Sequence, residues 1–322
     1  MNRNRRYRFL SGLAISLSLI NLAHAQEQSL PAYVPQNHAS GTLTSIGSDT
    51  MVYVVSYWVV GFKRFHPDVQ TRILQAGSAT APPALLDGTA TIGPMSRRMK
   101  DGEIQAFVNK FGYPPTEFRV AMDALAVYVH KDNPLQGMTL PQVDAVFSST
   151  RKCGYLDDIT LWGQLGLDNA WRTHAIELYG RNTLSGTYAF FADHALCKGK
   201  FKGVLQMQPT SWDVVRAVAA TPDAIGYSGI GYRTRDVRAI PLATRAGEPF
   251  VPATADNVYS GKYPLSRYLY VYVNKAPGRP LPVLEREFLR MVFSAQGQSM
   301  VTNNGFVPLS AEVLREELAK LD

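Results

Sequence analysis

Four short segments of this 322-residue chain share one pattern: glycine or arginine, a cluster of hydroxyl side chains, and a helix-like run after them. They are Gly47-Ser48-Asp49-Thr50, Gly77-Ser78-Ala79-Thr80, Met95-Ser96-Arg97 and Arg181-Asn182-Thr183-Leu184-Ser185-Gly186-Thr187. Backbone N–H groups at a helix N-terminus carry partial positive charge and lack intrahelical partners. Hydroxyls add neutral donors, and arginine adds a two-pronged fork. Together these make an oxyanion site. Each segment alone has a plainer reading. Ser-Asp-Thr before a helix is a cap, Gly77-Ser78 is a turn, and Arg97-Arg98 is a solvated pair. Arg181 with Ser185, Gly186 and Thr187 is more specific. Its spacing sets the arginine at a strand end and the hydroxyls on the first turn of the next helix. Four such segments in one chain favour the joint reading.

Bond-making chemistry finds no support in the residues. Gly261-Lys262 runs into Tyr263, so there is no phosphate-binding P-loop, and Gly226-Tyr227-Ser228-Gly229 runs into Ile230, so there is no nucleophile elbow. His38, His66, His130, His174 and His194 are scattered, with no His-Glu-x-x-His among them. A dinuclear hydrolase needs clustered Asp and His around its metals. The nearest cluster, Asp157-Asp158, reads as a solvated turn. A secreted phosphatase is the enzyme alternative, and it lacks both metal ligands and a nucleophile with its base. No catalytic residue, metal site or cofactor is expected.

The elements that must position these segments alternate. A strand at 42–46 leads through Gly47-Ser48-Asp49-Thr50 into an apolar helix at 51–65, which Pro67 ends. A strand at 69–75, a helix from 82 to 87 and a short strand at 89–93 follow. This is the texture of an α/β sheet. Two runs stand out as long, apolar and rich in β-branched or aromatic residues: ALAVYVH (124–130) and YLYVYVN (268–274). Between them lies a second βα set, with helices at 140–147 and 186–195 and strands at 175–179 and 224–230. A chain that leaves one α/β lobe, builds another and returns would read this way.

Charge and cysteines place the chain. The formal charge is +7, which alone suggests a polyanionic partner. Arg3, Arg5, Arg6 and Arg8 all precede an uncharged run from Phe9 to Ala25, which ends in Ala23-His24-Ala25. That is the layout of a cleavable secretory signal. An uncleaved membrane anchor is the alternative, but about 20 apolar residues are needed to span a bilayer and this run is short and Ser-rich. Without those four arginines the charge falls to +3, and no nucleic-acid partner is expected. In an oxidising compartment Cys153 and Cys197 read as one disulfide. Closing that loop contributes about 3–4 kcal/mol. Two buried free thiols are the alternative.

Eight segments in order carry a family resemblance: GSDT (47–50), GSATAPPAL (77–85), GPMSRRM (93–99), DALAVYVHKDNP (123–134), GRNTLSGTY (180–188), AIGYSGIGY (224–232), YPLSRYLYVYVN (263–274) and GQSMVTNNGFVPL (297–309). With them the chain resembles the PstS family, the periplasmic phosphate-binding proteins that feed a phosphate ABC transporter. The resemblance runs from residue 41 to about 309. It implies the type II periplasmic-binding-protein fold: two α/β lobes joined by two crossing strands, with a ligand cleft between them. The expected layout is a signal peptide at 1–25, a loose arm at 26–40, lobe 1 at 41–123 plus 268–322, and lobe 2 at 124–267. It implies a monomeric receptor in the periplasm, binding inorganic phosphate and delivering it to a membrane permease. The binding residues it implies are Thr50 and the backbone of Met51, with Ser48 beside them, then Ser78. Arg181, Ser185, Gly186 and Thr187 form the phosphate motif of the second lobe. Ser96 and Arg97 are further contacts in the third loop.

One position departs from the family pattern. Well-studied members carry an aspartate, which accepts a hydrogen bond from protonated phosphate, where this chain has Thr91. Selectivity against sulfate then moves to Asp49 or Asp123, or is weaker, or the ligand is another tetrahedral oxyanion such as sulfate, molybdate or a phosphonate.

Overall fold

The two apolar runs become the spine of the molecule. The computed structural model describes residues 30–321, so the signal-peptide reading and residues 26–29 of the arm lie outside the described residues. The chain opens with β1 (Gly41–Ile46), α1 (Val52–Phe65), β2 (Val69–Leu74), α2 (Ala81–Asp87), β3 (Gly93–Met95) and α3 (Asp101–Phe111). It crosses through β4 (Thr116–His130). The second lobe holds β5 (Met138–Thr139), α4 (Leu140–Phe147), β6 (Glu177–Arg181), α5 (Gly186–His194), β7 (Gln206–Gln208) and α6 (Ser211–Ala220). It continues with β8 (Ala224–Gly229), β9 (Val237–Ala239), β10 (Leu242–Ala243) and α7 (Ala255–Tyr259). The chain returns through β11 (Ser266–Val273) and closes with α8 (Val283–Val292), α9 (Ala295–Asn303) and α10 (Ala311–Ala319).

One sheet serves both lobes, in the order β3-β11-β4-β8-β6-β7, with β9 also on β4. The 15 residues of β4 change partner along their length. From Thr116 to Ala124 they pair antiparallel with β11, and from Leu125 to Val129 antiparallel with β8. This strand holds no Gly or Pro, and its second half is buried continuously, as befits a strand covered on both faces. In the first lobe β1 and β2 form a separate parallel pair. Trp58 of α1 sits in the first lobe's core, and its indole N–H donates to the Gly297 carbonyl of α9 at 2.9 Å. Trp162 sits in the second lobe's core. Cys153 and Cys197 form the disulfide, with Cα atoms 5.4 Å apart.

Several element edges differ from expectation. The first crossing strand starts at Thr116, eight residues before the apolar run, because the polar residues in its first half have partners. Arg119 there pairs with Glu316 and Glu317 of α10. The second starts at Ser266, which puts Arg267 inside a strand. The strand read at 89–93 forms instead at Gly93–Met95, where it pairs with β11. The strand read at 175–179 forms at Glu177–Arg181, parallel to β7 and β8.

The arm expected to be loose is docked over its described part. It forms no helix or strand, but Tyr33 and Ala39 are buried. The Ala39 amide donates to His66 Nδ1 at 3.2 Å, and Tyr33 Oη lies 2.7 Å from both His66 Nε2 and Glu287 Oε2. The neutral tautomer with its proton on Nε2 completes the chain: amide to imidazole to phenol to carboxylate. A buried carboxylate such as Glu287 must be given donors, and Tyr33, the Gln36 amide and Asn37 supply them.

Candidate functional site

The segments singled out by their hydroxyls converge between the lobes. From the first lobe come the turn at Asp49–Met51 that leads into α1, and the turn at Ser78–Thr80 that leads into α2. The loop after β3 adds Ser96. From the second lobe come Arg181 at the end of β6 and the first turn of α5. Ser48, Asp49, Thr50, Ser78, Ser96, Arg181, Ser185 and Thr187 are all buried. Such a concentration of buried polar groups has to be hydrogen-bonded or hold a ligand.

Local geometry brings the loops close. A Cβ on Gly47 would stand 2.1 Å from the Pro94 carbonyl oxygen, so only glycine lets the first loop lie against the third. The Ser48 amide donates to that same oxygen at 2.7 Å. Ser78 Oγ accepts from the Ser96 amide at 3.0 Å. Ser185 caps α5, its Oγ accepting from the amides of Thr187 at 3.1 Å and Tyr188 at 3.4 Å. That leaves the Ser185 hydroxyl proton for another acceptor.

The two lobes touch through these residues. Thr50 Oγ1 and Thr187 Oγ1 are 3.0 Å apart, and the Ala79 amide donates to the Leu184 carbonyl at 3.1 Å. Tyr232 of the second lobe donates to the carbonyls of Asp49 at 2.9 Å and Thr50 at 3.0 Å. A Cβ on Gly186 would meet Ser78 Oγ at 2.3 Å and Ser96 Oγ at 2.6 Å. The arrangement is a closed cleft.

Two buried ion pairs flank it. Arg181 Nη1 lies 2.7 Å from Asp49 Oδ2 and donates to Ser211 Oγ at 2.8 Å. Its Nη2 donates to the Pro209 carbonyl at 2.8 Å and its Nε to the Gln208 carbonyl at 3.5 Å. Of the five guanidinium N–H groups, one on Nη2 has no protein acceptor among the described residues. Arg267 donates to Asp123 Oδ2 from Nε at 3.0 Å and from Nη2 at 2.7 Å. It also donates to the Ser96 carbonyl at 3.0 Å and to Thr187 Oγ1 at 2.9 Å. Burial pushes the Asp123 carboxyl above its ordinary value, against the pull of Arg267 and of the Ile230 and Ala124 amides. Each arginine is matched by an aspartate, so these four side chains sum to no net charge. The attraction for an anion therefore rests on oriented donors: hydroxyls, helix N-termini, and the spare arginine N–H groups, all in a site largely closed to water.

Of the residues expected in the site, Ser48, Thr50, Ser78, Ser96, Arg181, Ser185, Gly186 and Thr187 are gathered at this closed cleft. Met51 follows Thr50, with its amide 3.3 Å from the Ser48 carbonyl and its side chain in the core. Arg97 is not turned to the cluster. Its guanidinium forms a two-pronged pair with Glu103, at 2.7 Å on each arm, and donates to the Arg98 carbonyl. Glu103 is the third residue of α3 and accepts from the Lys100 amide, so Arg97 serves as part of that helix's N-terminal closure. Thr91 is also turned elsewhere. Its hydroxyl donates to the Thr44 carbonyl at 3.0 Å and accepts from the Thr44 amide at 2.9 Å, fastening it to β1. Asp49 and Asp123, weighed as alternatives, both lie at the cluster. Ser211 and Arg267 escaped the reading. Ser211 follows the N-cap Thr210 of α6, a position that resembles any capped helix start. Arg267 had a signal: a lone cation in an otherwise apolar, aromatic strand.

Among the described residues no group of three or more His, Cys, Asp and Glu is set to hold a metal ion, and no helix is long and apolar enough to cross a membrane.

Comparison with known proteins places this geometry in a family. The profile of the PBP superfamily domain matches residues 34–296. The chain is 48% identical, over 97% of its own length and 97% of the relative's, to the phosphate-binding protein PstS of Pseudomonas aeruginosa. It is 26% identical over 84% of its length to protein SphX of Synechococcus elongatus, covering 78% of that protein. Among solved structures it is similar to a phosphate ABC transporter substrate-binding protein from Clostridium perfringens with bound phosphate. That match has a TM-score of 0.70 and 25% identity, over 84% of this chain and 100% of the other. A phosphate transport receptor from Vibrio cholerae shares the fold with a TM-score of 0.64 and 20% identity, over 83% of this chain and 100% of that one. The fold is therefore the type II periplasmic-binding fold, and the chain belongs to the PBP superfamily and, within it, to the PstS family of phosphate-binding proteins.

Proposed function

We propose that this chain is a receptor that binds inorganic phosphate between its lobes and delivers it to an ABC-type membrane permease. The observation that carries the reading is the meeting of Arg181 and the Ser185–Thr187 turn, from one lobe, with Thr50 and Ser78 from the other. The P. aeruginosa relative bears the name of a phosphate-binding protein. The C. perfringens structure holds phosphate. The signal-like segment at 1–25 supports a working protein in the periplasm, and it is proposed to act there as a monomer. The proposed lobe boundary, between 123 and 124, lies one residue before β4 changes partner from β11 to β8. Binding and release are the whole of the activity. Closure of the lobes over the anion is the signal the permease reads, so affinity reports the open–closed balance as well as the contacts.

The test is Arg181→Ala. Truncating a buried, charge-assisted donor costs about 2–5 kcal/mol, so phosphate affinity should fall by at least about 30-fold at 25 °C. Because the change also leaves Asp49 without its ion partner, Arg181→Lys is titrated beside it. The lysine keeps the charge but not the fork, and intermediate affinity is expected. A phosphate titration that neither substitution alters contradicts the assignment of this site.

A further inference from the structure

We infer that Arg267 is a positioning residue for the bound anion: it fills a lone pair of the Thr187 hydroxyl and so turns that hydroxyl's proton into the cleft. The inference rests on the phosphate reading above, which counts Thr187 among the anion's donors, and it goes beyond that reading by giving β11 a part in binding. A threonine hydroxyl is ambivalent. It carries one proton and two lone pairs, and it rotates to suit its neighbours. An anion uses only the proton, so a hydroxyl that presents a lone pair has to be turned first. A neighbour that can only donate removes that freedom. Guanidinium is such a group, with five N–H donors and no acceptor.

Thr187 has this neighbour. Arg267 Nη2 lies 2.9 Å from Thr187 Oγ1, so the oxygen accepts there. The Thr187 amide is given to Ser185 Oγ at 3.1 Å, which leaves the hydroxyl as the donor the residue offers the cleft. Next to it stands Thr50 Oγ1 at 3.0 Å, and beyond Thr50 stands Ser211 Oγ at 3.5 Å. The far end of this row is closed in the same way. Ser211 Oγ accepts from Arg181 Nη1 at 2.8 Å and donates to Asp49 Oδ2 at 3.2 Å. An arginine thus occupies a lone pair at each end, and the protons of Thr187 and Thr50 between them are turned toward an acceptor in the cleft. Both threonines are closed to solvent, so a bound anion is the acceptor that collects them.

Arg267 is itself held for this task. It stands opposite Asp123 in the register of β11 and β4. Nε and Nη2 both donate to Asp123 Oδ2, at 3.0 and 2.7 Å, and Nη1 donates to the Ser96 carbonyl at 3.0 Å. Its side chain is only 2% exposed. A donor oriented before the ligand arrives loses little freedom on binding. The plainer role, a counter-ion for Asp123 that only fastens the crossing strands, would leave the bond to Thr187 incidental.

The experiment is a double-mutant cycle read by calorimetric titration with inorganic phosphate at one pH and ionic strength. Its members are the unaltered mature chain, Arg267→Met, Thr187→Val and the two together, with a parallel cycle that uses Thr187→Ser. Methionine removes every donor and keeps an unbranched side chain; serine keeps the hydroxyl. Arg267→Met should weaken phosphate binding at least about tenfold in the unaltered chain and on Thr187→Ser, but less than about threefold on Thr187→Val, a coupling of the size seen within one hydrogen-bond network. An equal loss on all three backgrounds means that Arg267 acts on the anion directly or on the strands alone, and it overturns the inference. Undiminished binding by Thr187→Val overturns it too, and that arm leaves Arg267 in place. Arg267→Met leaves Asp123 without its partner, so a melt accompanies each titration. If the variant does not fold, the same cycle is run on Asp123→Asn, which leaves no unpaired charge, and is judged by the same ratios. Failure of the unaltered chain to bind phosphate strikes down the receptor reading, whereas binding without the coupling strikes down this inference alone.

Discussion

Gly186 shows how little room the closed cleft leaves. A methyl group there would overlap the hydroxyls of Ser78 and Ser96, which belong to the other lobe. Gly186→Ala should therefore hold the lobes apart while leaving each lobe's own packing alone. Phosphate affinity is expected to fall at least about tenfold, since binding then includes the cost of a strained closure, while the thermal midpoint of the phosphate-free protein moves little. Titration beside a melt checks both, and unchanged affinity would contradict the contact. At this scale the sequence was most legible where several donors crowd a few positions, as in the run from Arg181 to Thr187. It was least legible where one residue acts from a regular element. Arg267 lies in β11 and donates to Thr187 at the start of α5, and its one signal, a lone cation in an apolar strand, does not say what it reaches. Ser211 looks like a routine helix start, because a cap and an anion site use the same amides and hydroxyls. Arg97 shows the reverse: an arginine next to a site loop that its nearest helix claims.

Elements were legible where a period or a composition was pure. The helix of α4 and the strand of β8 lie close to where their residues put them, and β4 was found from its apolar half alone. Its other half was lost because Glu117 and Arg119 break the apolar run, and their partners sit in distant segments: Arg119 on α10, and Glu117 facing the Tyr272 hydroxyl of β11. The arm at 30–40 was read as loose because it is polar and contains proline. Its order comes from the relay through His66 to Glu287, contacts between residues 27 and 254 positions apart in the chain. That relay has a pH dependence. Burial lowers the affinity of His66 for a proton below its ordinary value near 6.5, although Glu287 pulls the other way. The unfolded chain thus takes up this proton more readily than the folded one. The stability that the neutral ring contributes is full above about pH 6.5 and is lost as the pH falls below it. A second proton on the ring would sit on Nδ1 and confront the Ala39 amide. Protection of that amide from hydrogen exchange, corrected for intrinsic rates, should be lower at pH 5.5 than at pH 7.5. Equal protection would count against the relay.

At the scale of the whole molecule, the chain's positive charge is a poor guide to what it holds. Four of the seven charges lie within residues 1–25, and the two arginines at the cleft are each neutralised by an aspartate. Recognition is left to oriented dipoles and hydroxyls that only the joined lobes assemble. The two-lobe plan was readable from two apolar strands bracketing a second βα set. The closed contact between lobes was not, because it depends on tertiary neighbours such as Leu184 over Ala79. Trp212 follows Ser211 at the start of α6, which places an indole next to a cleft residue, whereas Trp58 is sealed in the first lobe's core. The most direct test of the account is equilibrium dialysis of the purified mature chain against labelled phosphate, with unlabelled sulfate in large excess. The account predicts one phosphate retained per chain and no displacement by sulfate. Phosphate that is not retained, or that sulfate removes as readily as unlabelled phosphate does, would contradict it.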